Sequence, residues 1–371
     1  MTDRALWVVV LAVGCSFAVA CSYGAGRADD DPLVPDASNA DVDASTSPDA
    51  AEPARDPAKP GPWAVGVRTV RLTDASRSRT FSVDVWFPVD PNHVDGSANK
   101  YELDSFLGTL ASIDSPARRD ATPATGAWPV VLFSHGFGGI RFQSYFLTEH
   151  LASHGFVVVS PDHPGNTLVD FAQLGNEGAA AQSAMDRPLD MVFALNAAIA
   201  NQLGVSVDVT RVSATGHSFG GWTSLELARR DPRIKLAFPL APGFRNGATS
   251  EFVATLARPL LFVGGSADDT CEFPANQEQP YMIAQTPKFL LQVVNAGHLD
   301  FSNLCEVPIA QQFIDDGCDP AMIDPAVVHR RTNAVATAFV LRYQLGLVQY
   351  DPVLAPAHVT GLGNVQYWAT P

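Results

Sequence analysis

The sequence predicts an α/β protein, a mostly parallel sheet of about eight strands with helices on both faces. Two observations predict it. Compact apolar runs at 130–133, 156–160, 209–215, 234–239, 260–263 and 289–294 are too short for helices and read as strands buried on both faces. Helical patterns at 142–154, 179–202 and 218–230 separate several of these runs, 276–284 is a weaker one, and 325–345 closes the domain. Parallel neighbours need a crossover between them, so strand–helix alternation implies a parallel sheet. Ligands on such sheets bind outside the carboxyl ends of the strands, and motifs there weigh most.

Upstream, 65–72 and 80–87 alternate apolar with polar residues and read as antiparallel edge strands. The polar stretch 88–126 reads as an excursion with a short helix around 101–110. The remaining N-terminal residues do not look like fold. Arg4 precedes a run from Ala5 to Ala20 that is almost uninterruptedly apolar, and small residues lead into Cys21. This is the pattern of a signal peptide over 1–21. It resembles the bacterial lipoprotein type, in which the cysteine becomes lipidated, although Ala18 stands where that pattern usually has Leu. Cys15 is the alternative anchor. Residues 22–60 are Asp, Ala, Pro and Ser with almost nothing large and apolar, so they are expected to be a disordered tether. The acidic triplet Asp29–Asp31 is read as part of that solvated tail, because a floppy segment pre-organises no ligands. Residues 61–371 remain for one catalytic domain.

The formal charge of −15 belongs largely to that tether: between Asp29 and Asp56 there are eight Asp and one Glu against Arg55 alone. The rest of the 371-residue chain is only mildly acidic, with no electrostatic reason to seek nucleic acid. The apolar content of 46% is that of an ordinary globular protein.

Gly216-His217-Ser218-Phe219-Gly220 directly follows the strand ending at Thr215 and opens the helix through Trp222 and Leu225. That context makes it a nucleophile elbow, the hallmark of the α/β-hydrolase fold. The turn is sharp, and glycines on either side let backbones approach while Ser218 takes a strained conformation with its hydroxyl exposed. His135-Gly136-Phe137-Gly138-Gly139 follows an earlier strand, and its glycines turn a backbone N–H toward the pocket. The Phe137 and Phe219 amides are therefore the expected oxyanion donors; His135 is expected to shape the loop. In this fold the acid and then the histidine follow the nucleophile. Asp268 comes just after the strand at 260–263, with Asp269 as the alternative, and His298 comes just after the strand at 289–294. Of the competing histidines, His217 should point away from the hydroxyl and His163 is placed as a pocket wall. No His or Cys cluster has zinc-ligand spacing, so neither a metal nor another cofactor is expected.

Together the segments Val83-Asp84-Val85-Trp86-Phe87-Pro88, 133–139, 160–165, 216–221 and 296–301 resemble bacterial hydrolases named as dienelactone hydrolases. They stand close to the platelet-activating-factor acetylhydrolase and cutinase-like polyesterase branches. The resemblance implies hydrolysis of a small or polymeric ester through an acyl-enzyme, with membrane contact only through the lipid anchor. Two departures matter: true dienelactone hydrolases carry a cysteine where this chain has Ser218, and polyesterases often have Met where this chain has Phe219.

Cys271, Cys305 and Cys318 follow the signal, an odd number in an exported chain where disulfides persist. A Cys271–Cys305 bridge would staple the acid and histidine loops together; the family resemblance favours Cys305–Cys318 instead. Phe137, Phe219, Trp222 and Phe301 form a candidate aromatic rim suited to an apolar acyl group, with core packing the expected role of Trp222.

Overall fold

A computed structural model describes residues 55–105, 108–170, 177–244, 250–307 and 316–371. The signal peptide, both anchor candidates and nearly all of the tether lie outside the described residues. Among the described residues no helix is long and apolar enough to cross a membrane.

The central strands are β5 (Trp128–Ser134), β6 (Val157–Pro161), β7 (Val207–His217), β8 (Ile234–Leu240), β9 (Leu260–Gly265) and β10 (Lys288–Val293). All are parallel, in the spatial order β10-β9-β8-β7-β5-β6. Apart from β7, whose first half is polar and largely exposed, they are mostly apolar in succession because successive side chains enter two different cores. Val131 and Phe133 of β5 join one core, with Leu147 and Phe339 from α1 (Tyr145–Ser153) and α5 (Pro325–Tyr343). Val130 and Leu132 join the other, with Met191 and Leu225 from α2 (Glu177–Ile199) and α3 (Phe219–Arg230). A short α4 (Gln279–Ile283) follows a turn at Pro274–Glu278. The chain reverses direction at the carboxyl ends of β5, β7, β9 and β10, so 135–139, Ser218, 266–271 and 294–301 share one edge.

The sheet is larger than expected, with eleven strands among the described residues instead of about eight. β1 (Ala64–Asp74) and β2 (Arg79–Val89) form the expected antiparallel pair, and β2 runs antiparallel to β6. They are not at the edge. Instead of a helix at 101–110, the polar excursion forms β3 (Ser97–Ser105) and β4 (Gly108–Arg119), and β4 adds to β1. The signal was a period of two: Asn99, Tyr101 and Leu103 are buried, while Lys100 and Glu102 between them are exposed. At the other margin α5 does not end the fold. A short α6 (Pro356–Gly361) leads into β11 (Val365–Thr370), which pairs antiparallel with β10.

Candidate active site

Ser218 sits between β7 and α3 at φ 56°, ψ −121°, a left-handed backbone that a non-glycine residue adopts only when its surroundings impose it. Those surroundings are close backbones. A Cβ on Gly220 would lie 1.8 Å from the Ser134 carbonyl oxygen, and one on Gly216 would lie 2.4 Å from the same atom. The turn is held by the Ser218 N–H donating to Leu240 O at 2.9 Å, and by Gly221 and Gly243 N–H donating to Ser218 O at 2.9 and 3.0 Å.

Asp268 lies on the loop after β9 and His298 opens the turn after β10. His298 Nδ1 is 2.9 Å from Asp268 Oδ2, with both side chains buried. The other Asp268 oxygen accepts the Cys271 N–H at 2.6 Å, which orients the carboxylate. The neighbouring Asp269 is exposed, and Asp268 is the one that meets the histidine. His298 Nε2 is buried without a hydrogen-bond partner, leaving that nitrogen available to a reacting hydroxyl. Burial pushes the imidazole pKa down, but the charge and hydrogen bond of Asp268, helped by the charge of Asp316, hold it above the ordinary histidine value.

The histidine turn has further supports. The ring of His217 lies 4.6 Å from that of His298. Gln143 accepts the Gly136 N–H on Oε1 at 2.9 Å, so its amide nitrogen faces His217 Nδ1 at 2.7 Å. Nδ1 is thus the acceptor, and Nε2–H donates to the main-chain oxygen of His298 at 2.9 Å. Gln143 and His217 thereby join the Gly136 loop to the histidine turn. Asp316, which sequence reasoning missed, accepts the His298 N–H at 2.8 Å and the Thr270 N–H at 2.6 Å, one on each oxygen. It ties the acid loop to the histidine loop, and the Thr270 hydroxyl donates to it as well. Two residues on, Cys318 is bridged to Cys305 with Cα atoms 5.1 Å apart. Asp300 adds a third tie, accepting the Gly297 and Cys318 N–H groups at 2.8 and 2.9 Å.

Phe137 follows β5 in a turn closed by Gly139 N–H donating to Gly136 O at 3.2 Å. Its ring centroid lies 6.3 Å from that of Phe219, the first residue of α3. The two expected oxyanion residues are therefore neighbours, and Phe219 is the first residue of its helix, where an N–H has no carbonyl one turn earlier in the helix to donate to. The candidate pocket residues are packed into the framework. His163 is wholly buried, with Nε2 2.9 Å from Ser134 Oγ and Nδ1 3.1 Å from Asp190 Oδ2, so its ring braces the framework. Phe301 is likewise fully buried in the core. Trp222 packs in the opposite core and stacks on Phe219 at 5.4 Å. His135 donates from Nδ1 to Gly136 O at 2.7 Å, while Nε2 accepts the His163 N–H at 3.2 Å.

A second residue that sequence reasoning missed is Arg187 of α2. It is wholly buried and donates to groups on three segments around the elbow. A signal was present: Arg187 begins the apolar stripe continued by Met191, Ala194, Leu195 and Ala198. As for metals, the one group of potential ligands among the described residues is Asp300 with Cys305 and Cys318. Its two sulfurs are joined in the disulfide.

Residues 119–315 match the family model described as PET hydrolase-like, and residues 52–183 match that of platelet-activating factor acetylhydrolase, isoform II. The chain is 26% identical to the platelet-activating factor acetylhydrolase of Cavia porcellus, over 77% of each chain. It is 29% identical to cutinase est1 of Thermobifida alba, over 45% of this chain and 52% of that one. Only about half the length of that cutinase is matched. The structure superposes on a ferulic acid esterase from Streptomyces cinnamoneus with a TM-score of 0.65, at 24% identity, covering 82% of this chain and 96% of the other. That likeness speaks to the fold.

Proposed function

The chain belongs to the PET hydrolase-like family and is a serine-dependent carboxylic ester hydrolase, and from that premise we propose that Ser218 is its nucleophile, His298 its general base and Asp268 the orienting acid. The observation that carries the assignment is the His298–Asp268 contact of 2.9 Å, with the opposite ring nitrogen left unpartnered at the same strand edge as the elbow. Ser218 Oγ attacks the ester carbonyl as His298 Nε2 takes its proton. The Phe137 and Phe219 N–H groups receive the oxyanion, worth on the order of 10²-fold or more in rate per donor. His298 returns the proton to the departing alcohol, leaving an acyl group on Ser218. Water, deprotonated by the same nitrogen, then attacks the acyl carbon, and the proton passes from His298 to Ser218 Oγ as the carboxylic acid leaves. No metal or other cofactor is invoked.

Replacing Ser218 by Ala abolishes turnover of short p-nitrophenyl esters while circular dichroism stays native; residual wild-type-like turnover would refute the assignment. For the substrate, the matches to polyester and phospholipid-type hydrolases support two ester classes. Paired assays on polyester film and on a short-chain phospholipid separate them.

The apolar N-terminal run and the Cys305–Cys318 bridge support export to an oxidising compartment. On this reading residues 1–21 are the signal, 22–60 the tether and 61–371 the catalytic domain, with Cys21 as lipid anchor. Mass spectrometry of the mature N-terminus tests it: a diacylglycerol thioether on Cys21 supports the anchor, and an unmodified Cys21 thiol, or a mature chain that lacks Cys21, sinks it.

A further inference from the structure

A wholly buried guanidinium is costly unless its donors are satisfied and its charge is answered. Arg187 meets the first condition in an unusual way. Nε donates to Thr223 Oγ1 at 3.2 Å, and Nη1 to Asn166 Oδ1 at 2.5 Å. Nη2 donates to Ser134 Oγ at 3.0 Å and also to the main-chain oxygen of His135. Every one of these acceptors is neutral. The nearby carboxylate of Asp190 is already engaged by His163, Arg77 and Arg79. Burial pushes the Arg187 pKa down to about 9, with Asp190 opposing, which still leaves a cation at neutral pH.

The placement of those acceptors gives the cation a purpose. His135 stands two residues before Phe137. Thr223 donates its hydroxyl to Phe219 O at 2.8 Å, and the Phe219 ring lies over the guanidinium with its centroid 4.6 Å from Cζ. Asn166 belongs to the loop after β6, whose Leu168 N–H donates to Gly139 O at 3.0 Å and so backs the Phe137 turn from the other side. One planar fork therefore touches both segments that carry the oxyanion donors, and the loop that supports one of them.

We propose that Arg187 is the positioning residue of the oxyanion hole, fixing the spacing of the Phe137 and Phe219 segments and setting a permanent positive charge behind them. This rests on the reading of Ser218 as nucleophile and of those two amides as oxyanion donors. The charge has most effect when the substrate carbonyl becomes an anion, because it lies in a water-excluded interior with no carboxylate bonded to it. Lysine cannot replace it, since an ammonium is a point donor and cannot reach four acceptors in one plane.

The test compares ground-state with transition-state recognition in wild type, Arg187→Met and Arg187→Lys. KM and kcat are measured on a short p-nitrophenyl ester, and Ki for an alkylboronic acid that becomes a tetrahedral anion on a serine oxygen. For Arg187→Met we expect kcat to fall about 100-fold. KM should stay within about threefold, and boronate affinity should fall in step with kcat. Arg187→Lys recovers only a small part of either. Equal losses in KM and kcat with boronate affinity intact, or full recovery by Lys, overturn the proposal. If Arg187→Met does not fold, Thr223→Val, which removes the Nε acceptor and with it the hydroxyl that links Arg187 to Phe219 O, carries the test. A kcat loss of about tenfold with parallel loss of boronate binding supports the proposal, and unchanged kcat and Ki overturn it. A wild type that turns over ester but is insensitive to boronates and to fluorophosphonates overturns the Ser218 reading instead.

Discussion

As the proposed general base, His298 accepts a proton only when its imidazole is neutral, so the groups around it set the pH range of the reaction. Facing it are Asp268 from the loop after β9, Asp316 from beyond the histidine turn and His217 from the end of β7, while Asp300 of its own turn accepts the neighbouring Gly297 N–H. Burial alone would lower its pKa, but the two carboxylates Asp268 and Asp316 overcome that and raise it. A raised pKa keeps the base protonated to higher pH. The acidic limb of kcat/KM therefore has its midpoint above the ordinary imidazole value of about 6.5. Asp316→Asn removes one carboxylate charge and turns one of its two accepting oxygens into a donor, so only one of the two loops keeps its acceptor. Its midpoint should move toward lower pH, and kcat should fall about tenfold or more through misplacement of the ring. A pH–rate profile of both proteins decides this; an unmoved midpoint with lower kcat would reduce Asp316 to a scaffold. The proposed triad residues were legible because each stands in the turn or loop that follows a strand. Asp316 was not, since nothing in its local sequence says that it reaches back to the amide of His298, and Arg187 showed only as a charge at the head of an apolar stripe.

At the scale of elements, the elbow depends on strand β7 and helix α3 meeting β5 at backbone contact. A Cβ on Gly220 would overlap the carbonyl of Ser134, and neither strand nor helix can retreat without opening the core. Gly220→Ala should therefore cost about 3 kcal/mol or more of stability, read from the urea midpoint. An alanine variant as stable as wild type would mean that the elbow is looser than its geometry implies. Five of the six parallel strands were readable as apolar runs too short for a helix, and β7, with its polar first half, from the elbow that follows it. The β3–β4 hairpin and β11 were not. β3 buries only one face, and its alternation of Asn99, Tyr101 and Leu103 lies in a polar stretch where Asn does not register as a core residue. Burial of Trp86 depends on that hairpin, since its Nε1–H donates to Tyr101 Oη at 2.6 Å.

For the whole molecule, the carboxyl edge of the sheet gathers residues from segments far apart in sequence, and cross-ties rather than local turns hold them. The Cys305–Cys318 bridge closes a loop with a sequence separation of 13 and anchors the segment that carries Asp316. Breaking it with Cys318→Ser should cost about 3 kcal/mol, mostly through the unfolded chain, and should lower kcat as Asp316 loosens. Equilibrium unfolding at fixed pH measures the first part, and unchanged stability would show that the bridge is incidental. The proposed chemistry turns on one atom, the hydroxyl oxygen of Ser218. Treatment of the native protein with a fluorophosphonate, followed by peptide mapping in a mass spectrometer, tests that atom directly. The predicted result is a single adduct, on Ser218, formed in step with loss of esterase activity. An adduct on another residue, or full activity with Ser218 modified, would contradict it.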